Sequence, residues 1–170
     1  MKKIFTLLTL GIFSFGIAQI STTRMNEMRL NNTLQQVEKA LGKKLEITKT
    51  GDDWLFYVKV SEKGADFTLG FLESINESNS KELVLYEIKT NSSEIKTLSK
   101  LGVGSSIDDL WKAYKNYNIS VWQMWDEIED SNSKTDRVFN IQDHDAGTSL
   151  YFYLRNNKVY EIVIGVYEGC

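Results

Sequence analysis

The chain has 170 residues, is one-quarter charged, and carries a net charge of −3 at neutral pH. That acidic balance excludes a nucleic-acid binder, which needs clustered basic side chains. Its single cysteine, Cys170, excludes an internal disulfide, so a hydrophobic core must hold the fold.

The first segment, 1–18, has the form of a secretory signal. Lys2 and Lys3 supply the positive start, an apolar run extends from Ile4 to Ile17, and Gly16 and Ala18 are the small residues a signal peptidase needs. The run is shorter than the roughly 20 apolar residues of a spanning helix. Cleavage is expected between Ala18 and Gln19. No cysteine stands there to carry a lipid, so the mature chain is expected in the periplasm or outside the cell. Losing Lys2 and Lys3 leaves 18 Lys and Arg against 23 Asp and Glu, a net of −5. No later segment is apolar for long enough to span a bilayer.

A short N-terminal segment, 19–31, precedes two larger ones, 32–100 and 101–170. Each of these opens with an amphipathic helix. The first spans 33–41, with Leu34, Val37 and Leu41 on one face. Thr33 and Gln36 form a capping box, and Gly42 is a C-terminal stop. The second begins at Ser106, with Ile107, Leu110 and Tyr114 on one face, Trp111 at its edge, and Ser106 and Asp109 as the matching cap.

Strand-like runs follow each helix. They cover 45–49, 54–60, 66–72 and 83–90 in the first segment, and 119–125, 137–141, 149–155 and 158–166 in the second. The stretch between 73 and 82 reads as a long polar loop. Asn156 and Asn157 read as a two-residue hairpin turn, because asparagine tolerates positive φ. Caps, inward residues and a Tyr-Glu-Ile tripeptide (Tyr86 to Ile88, Tyr160 to Ile162) recur in the same order in both segments. The expected fold is therefore α+β, two tandem copies of one helix packed on a four-stranded antiparallel sheet.

This plan resembles the β-lactamase-inhibitory-protein-like architecture. Gly104, Ser105, Asp108, Asp109 and Leu110 at the helix start are similar to motifs of small envelope proteins in that group, as are Leu150, Phe152, Lys158, Val159 and Ile162 in the closing hairpin. The resemblance covers Asn32 to Val166 and implies a shared fold. The disulfides of the inhibitors and the lipid-bearing cysteine of the assembly members have no counterpart here, so neither function nor binding residues carry over.

The residues with the chemistry for a site fall into four groups. His144 is the only histidine, and no Gly-x-Ser-x-Gly elbow occurs, so no base and nucleophile are paired and no catalytic residue is assigned. Asp143, His144 and Asp145 offer hard ligands, but successive residues point different ways and the loop reads as a solvated turn; no metal site and no cofactor are expected. Asp126, Glu127, Glu129 and Asp130 lie beyond Trp122 and Trp125, but nothing supplies the opposing carboxylate that glycoside hydrolysis requires. The fourth group is aromatic. In 149–154, alternation places Leu150, Phe152 and Leu154 inward and Tyr151 and Tyr153 on the other face. Trp122 and Met124 share one face of their strand, with Val121 and Trp125 on the other, and Trp125 reads as core. Tyr and Trp on an open sheet face bury large area at low entropy cost.

The expected function is an exported, non-enzymatic binding protein. It contacts a protein partner through an open sheet face bearing Tyr151, Tyr153, Trp122 and Tyr57. The alternative is an envelope hydrolase or metal-dependent enzyme using the acidic loop or the His144 loop.

Overall fold

A computed structural model describes residues 19–49, 55–76 and 78–166. The expected signal segment, the site before Gln19 on its N-terminal side, Trp54 and Cys170 lie outside the described residues. The described elements are β1 (Gln19–Ile20), β2 (Arg24–Met25), β3 (Met28–Arg29), α1 (Leu34–Leu41), β4 (Thr48–Lys49), β5 (Leu55–Glu62), β6 (Ala65–Ile75), β7 (Lys81–Thr90), β8 (Lys96–Thr97), α2 (Ile107–Tyr114), β9 (Ile119–Asp126), β10 (Ser131–Asp143), β11 (Thr148–Arg155) and β12 (Lys158–Val166).

Both helices start where their caps require. The Thr33 hydroxyl accepts from the Gln36 amide while the Gln36 side chain accepts from the Thr33 amide, and Ser106 and Asp109 repeat the exchange. Each such cap contributes about 1 kcal/mol. Gly42 ends α1 at φ 65°, a left-handed conformation in which its N–H reaches back to the carbonyls of Glu38 and Lys39. Asn156 and Asn157 turn the last hairpin at φ 50° and 62°.

The α+β assignment is overturned. Twelve strands stand against two helices of eight residues each, so the described chain is mainly β. Nor does it form two four-stranded sheets, each with its own helix. One eight-stranded sheet runs β4-β5-β6-β7-β12-β11-β10-β9, and a second sheet of two-residue strands runs β3-β2-β1-β8. Two causes are visible. The edges of β7 and β12 pair antiparallel from Ile162 opposite Thr90 to Gly165 opposite Glu87, which satisfies backbone groups that two separate sheets would leave open. Strand also extends through stretches that read as loop. Ser131 and Asn132 pair with β9, and β6 continues to Ile75, leaving only a tight turn in which the Asn76 side chain accepts from the amides of Ser78 and Ser80.

The core lies on one side of the long sheet. Val37 of α1, Leu110 and Tyr114 of α2, and Ile20, Met25 and Met28 of the small sheet join Leu69, Phe71, Phe139, Leu150, Phe152 and Ile162 in a single buried cluster. Trp111 closes the edge of this layer, its ring meeting Phe139 edge-on at 5.3 Å. Trp125, expected in the core, is 58% exposed. It sits near the far end of the edge strand β9, which has a neighbouring strand on one side only.

Candidate functional site

The second face of the long sheet carries the aromatic residues picked out from alternation. Register fixes their places. Tyr57 on β5 stands opposite Gly70 on β6, and Gly70 opposite Glu87 on β7. Tyr151 lies between Val163 on β12 and Asn140 on β10, and Tyr153 lies between Glu161 and Val138. Val138 is opposite Trp122 on the edge strand β9. Tyr57, Tyr151, Tyr153 and Trp122 therefore share one face, with Tyr57 apart from the other three.

Around Trp122 the face is an aromatic patch. The Trp122 and Tyr151 rings meet edge-to-face at 6.4 Å and 81°, an arrangement worth about 0.5–1.5 kcal/mol beyond the buried area. Tyr153 and Tyr160 are 6.4 Å apart, Arg155 stacks on Tyr160 at 5.1 Å, and the Tyr160 hydroxyl donates to the Met124 sulfur at 4.0 Å. Beneath the rings lie Val138, 2% exposed, and Val163, 3% exposed. Neither belongs to the core cluster. Each is flanked on both neighbouring strands by longer side chains, Val163 by Tyr151 and Lys89, Val138 by Tyr153 and Trp122, and these side chains roof it. Burial, with Glu87 next in effect, holds the Tyr153 phenol above its ordinary pKa, and burial with Glu161 does the same for Tyr160. Asn140 Oδ1 and Ser149 Oγ, on the same face, are buried without a hydrogen bond among the described residues.

At Tyr57 the face becomes charged. Lys89 lies 3.0 Å from Glu87 and 5.6 Å from the centre of the Tyr57 ring. The Tyr57 hydroxyl donates to Glu87 at 3.5 Å. Burial works against the Lys89 ammonium, but Glu87, with Tyr57 and Glu161 adding to its effect, raises the Lys89 pKa above its ordinary value.

The Tyr57 ring rests on Gly70: a Cβ at that position would stand 2.9 Å from Tyr57 Cε1. Gly70→Ala should therefore cost about 1–2 kcal/mol in urea denaturation, since a clash of about 1–3 kcal/mol exceeds the gain of roughly 0.5–1 kcal/mol expected from removing a strand glycine. In a Tyr57→Ala background the same change should become neutral or stabilising.

Tyr160 and the Glu87–Lys89 pair escaped the alternation argument. The register slips between Tyr153 and Leu154, and again between Gly70 and Phe71. Tyr160 and Tyr86 are the extra residues at these bulges, each falling between a residue that packs inward (Val159, Leu85) and a glutamate on the second face. The repeated Tyr-Glu-Ile tripeptide was the available signal, since it marks both bulges.

The other candidates do not assemble a reaction centre. Asp143 Oδ2 accepts from the Thr22 hydroxyl at 2.8 Å and its Oδ1 from the Ala146 amide at 3.0 Å, while the Asn118 amide contacts the His144 ring. These contacts fix the β10–β11 turn to its neighbours. Asp126 accepts from the amides of Ile128 and Glu129, closing the β9–β10 turn, and Glu127, Glu129 and Asp130 are exposed. Among the described residues no three of His, Cys, Asp and Glu gather in a group able to hold a metal, and no helix is long and apolar enough to cross a membrane.

Compared with protein families, curated proteins and solved structures, the chain matches none. The role of each residue therefore rests on the geometry above.

Proposed function

We propose that the chain is an exported binding protein, periplasmic or secreted, that takes a protein partner on the second face of its long sheet. Trp122 and Tyr151 are the anchors, Tyr153 extends the patch, and Tyr57 with Glu87 and Lys89 forms a polar flank. The observation that carries this reading is the Trp122–Tyr151 pair, with Trp122 44% exposed, on a face to which neither helix nor the small sheet contributes its buried residues.

Size favours a macromolecule. Tyr57 and Trp122 are six strand spacings apart in the sheet order, roughly 29 Å at about 4.8 Å per spacing. That is the diameter of a standard interface of about 800 Å² per partner. Chemistry agrees with it. Interface centres favour Trp and Tyr over an apolar floor, with charged groups toward the rim, and Val138 and Val163 provide such a floor. Export rests on the N-terminal signal.

The test is affinity capture from the native envelope, with wild type and the Tyr151→Ala/Tyr153→Ala double variant as baits. Each truncation of an anchor of this kind costs about 2 kcal/mol, so the captured partner should bind the double variant at least about a hundredfold more weakly. The variant should keep a cooperative thermal transition. A double variant that unfolds would place both tyrosines in the core and remove the site.

A further inference from the structure

A second site lies on the opposite, core side of the long sheet, at its β10–β11 end. Here a cavity of about 610 Å³ opens between the small sheet, the C-terminal end of α2 and the β10–β11 turn. This is the size of a small-molecule pocket, about 300–1,000 Å³. Its apolar walls are Ile20, Leu98, Tyr114, Tyr117, Ile141 and Leu150. Two of these are among the large apolar side chains the chain leaves in solvent, Leu98 at 78% and Tyr117 at 63% exposed. The Tyr114 and Tyr117 rings meet edge-to-face at 5.6 Å, giving the cavity an aromatic side.

Eight of the fourteen lining residues are polar, and the carboxylates among them carry one sign of charge. Asp143 and Asp145 line the cavity with His144, and none of the described lining residues is Lys or Arg. Asp143 is held in place by Thr22 and by the Ala146 amide. Tyr114 donates to Thr97 Oγ1 at 2.8 Å, which fixes two of the lining side chains to each other. Thr148, behind the lining, stands opposite Asp143 in register and two places before Leu150 on the same strand face, and its buried hydroxyl makes no hydrogen bond among the described residues.

From this combination we infer that the cavity binds a small organic cation with an apolar or aromatic body. The body lies against Leu98, Ile141 and Leu150, and the ammonium group sits between the Tyr117 ring and the carboxylates of Asp143 and Asp145. Aromatic faces and carboxylates both attract ammonium groups, and no Lys or Arg among the described lining residues would balance the charge of an organic anion. The site is separated from the aromatic face by the sheet itself, so its occupancy can be read independently of any protein partner.

The test is an NMR titration of the ¹⁵N-labelled chain with 2-phenylethylamine at neutral pH, beside 3-phenylpropionate and 2-phenylethanol. The amine should shift the amide signals of Leu98, Tyr117 and Asp145 and saturate, binding at least about tenfold more tightly than the carboxylate, with the alcohol between. Asp145→Asn and Tyr117→Ala, both at exposed positions, should each weaken the amine about threefold. Tyr117→Ala should weaken the alcohol as well, whereas Asp145→Asn should leave it unchanged. Equal binding of carboxylate and amine would overturn the inference, and so would shifts confined to other surfaces or no saturable shift.

Discussion

Replacing Phe152 by alanine should destabilise the protein by about 3–5 kcal/mol, the range for deleting a fully buried aromatic ring. Phe152 is fully buried at the centre of the core face of β11, with the Phe139 ring at 6.3 Å and the Tyr114 ring at 6.1 Å. It therefore links the middle of the long sheet to α2. Truncation leaves a cavity bounded by a sheet and a helix, and neither can collapse into it without breaking its own hydrogen bonds. Against a typical total stability of 5–15 kcal/mol, the loss is large enough to move the urea midpoint well below the wild-type value. The slope of the transition should not change, because the surface exposed on unfolding is almost the same. Arg155→Ala on the same strand is the control. Arg155 is exposed and its 3.0 Å ion pair with Asp136 lies at the surface, so its removal should cost no more than about 1 kcal/mol. A Phe152→Ala loss as small as that of Arg155→Ala would mean that α2 is not packed against β11 as described.

What the sequence disclosed follows the range of the forces involved. Caps and turns are local, so Thr33 with Gln36, Ser106 with Asp109, Gly42 and the Asn156–Asn157 turn could be read directly. Alternation is local too, and it placed Leu150, Phe152 and Leu154 inward and Tyr151, Tyr153 and Trp122 on the opposite face. The joining of β7 to β12 was not legible. It is a meeting of two edges distant in sequence, and neither edge carries a mark naming its partner. The fold class failed for that reason, and because polar strand residues such as Ser131, Asn132 and Glu73 look like loop when composition alone is read. Trp125 was misplaced because parity names the side of a strand but not what covers it, and near the end of the edge strand Trp125 stays 58% exposed. The cavity was invisible because its walls come from β1, β8, α2, β10 and β11.

The N-terminal strip is the largest structural feature that periodicity missed, and Met28→Ala tests its weight. Met25 and Met28 stand opposite each other in the register of β2 and β3, both fully buried and part of the core cluster. Two-residue strands show no alternation long enough to read. The strip is also tied by its backbone. β1 pairs parallel to β8, the Asn31 amide donates to the Leu85 carbonyl at 2.8 Å, and the Leu85 amide donates to the Asn32 carbonyl at 2.8 Å. Met28→Ala should therefore cost about 2–5 kcal/mol, whereas Arg29→Ala, one residue on and exposed, should change stability by no more than about 0.5 kcal/mol. Hydrogen exchange separates a strip that frays alone from one that opens with the whole fold. The amides of Asn31 and Leu85 should exchange at the rate of the core strands in wild type, and the destabilisation by Met28→Ala should accelerate both together. Equal effects of the two substitutions, or fast exchange at Asn31 beside slow exchange at Leu85, would show that the strip opens independently. Because Ile20 and Thr22 of this strip line the cavity, independent opening would also remove one wall of the cation site, whereas a strip that opens only with the core keeps the site formed for as long as the protein is folded.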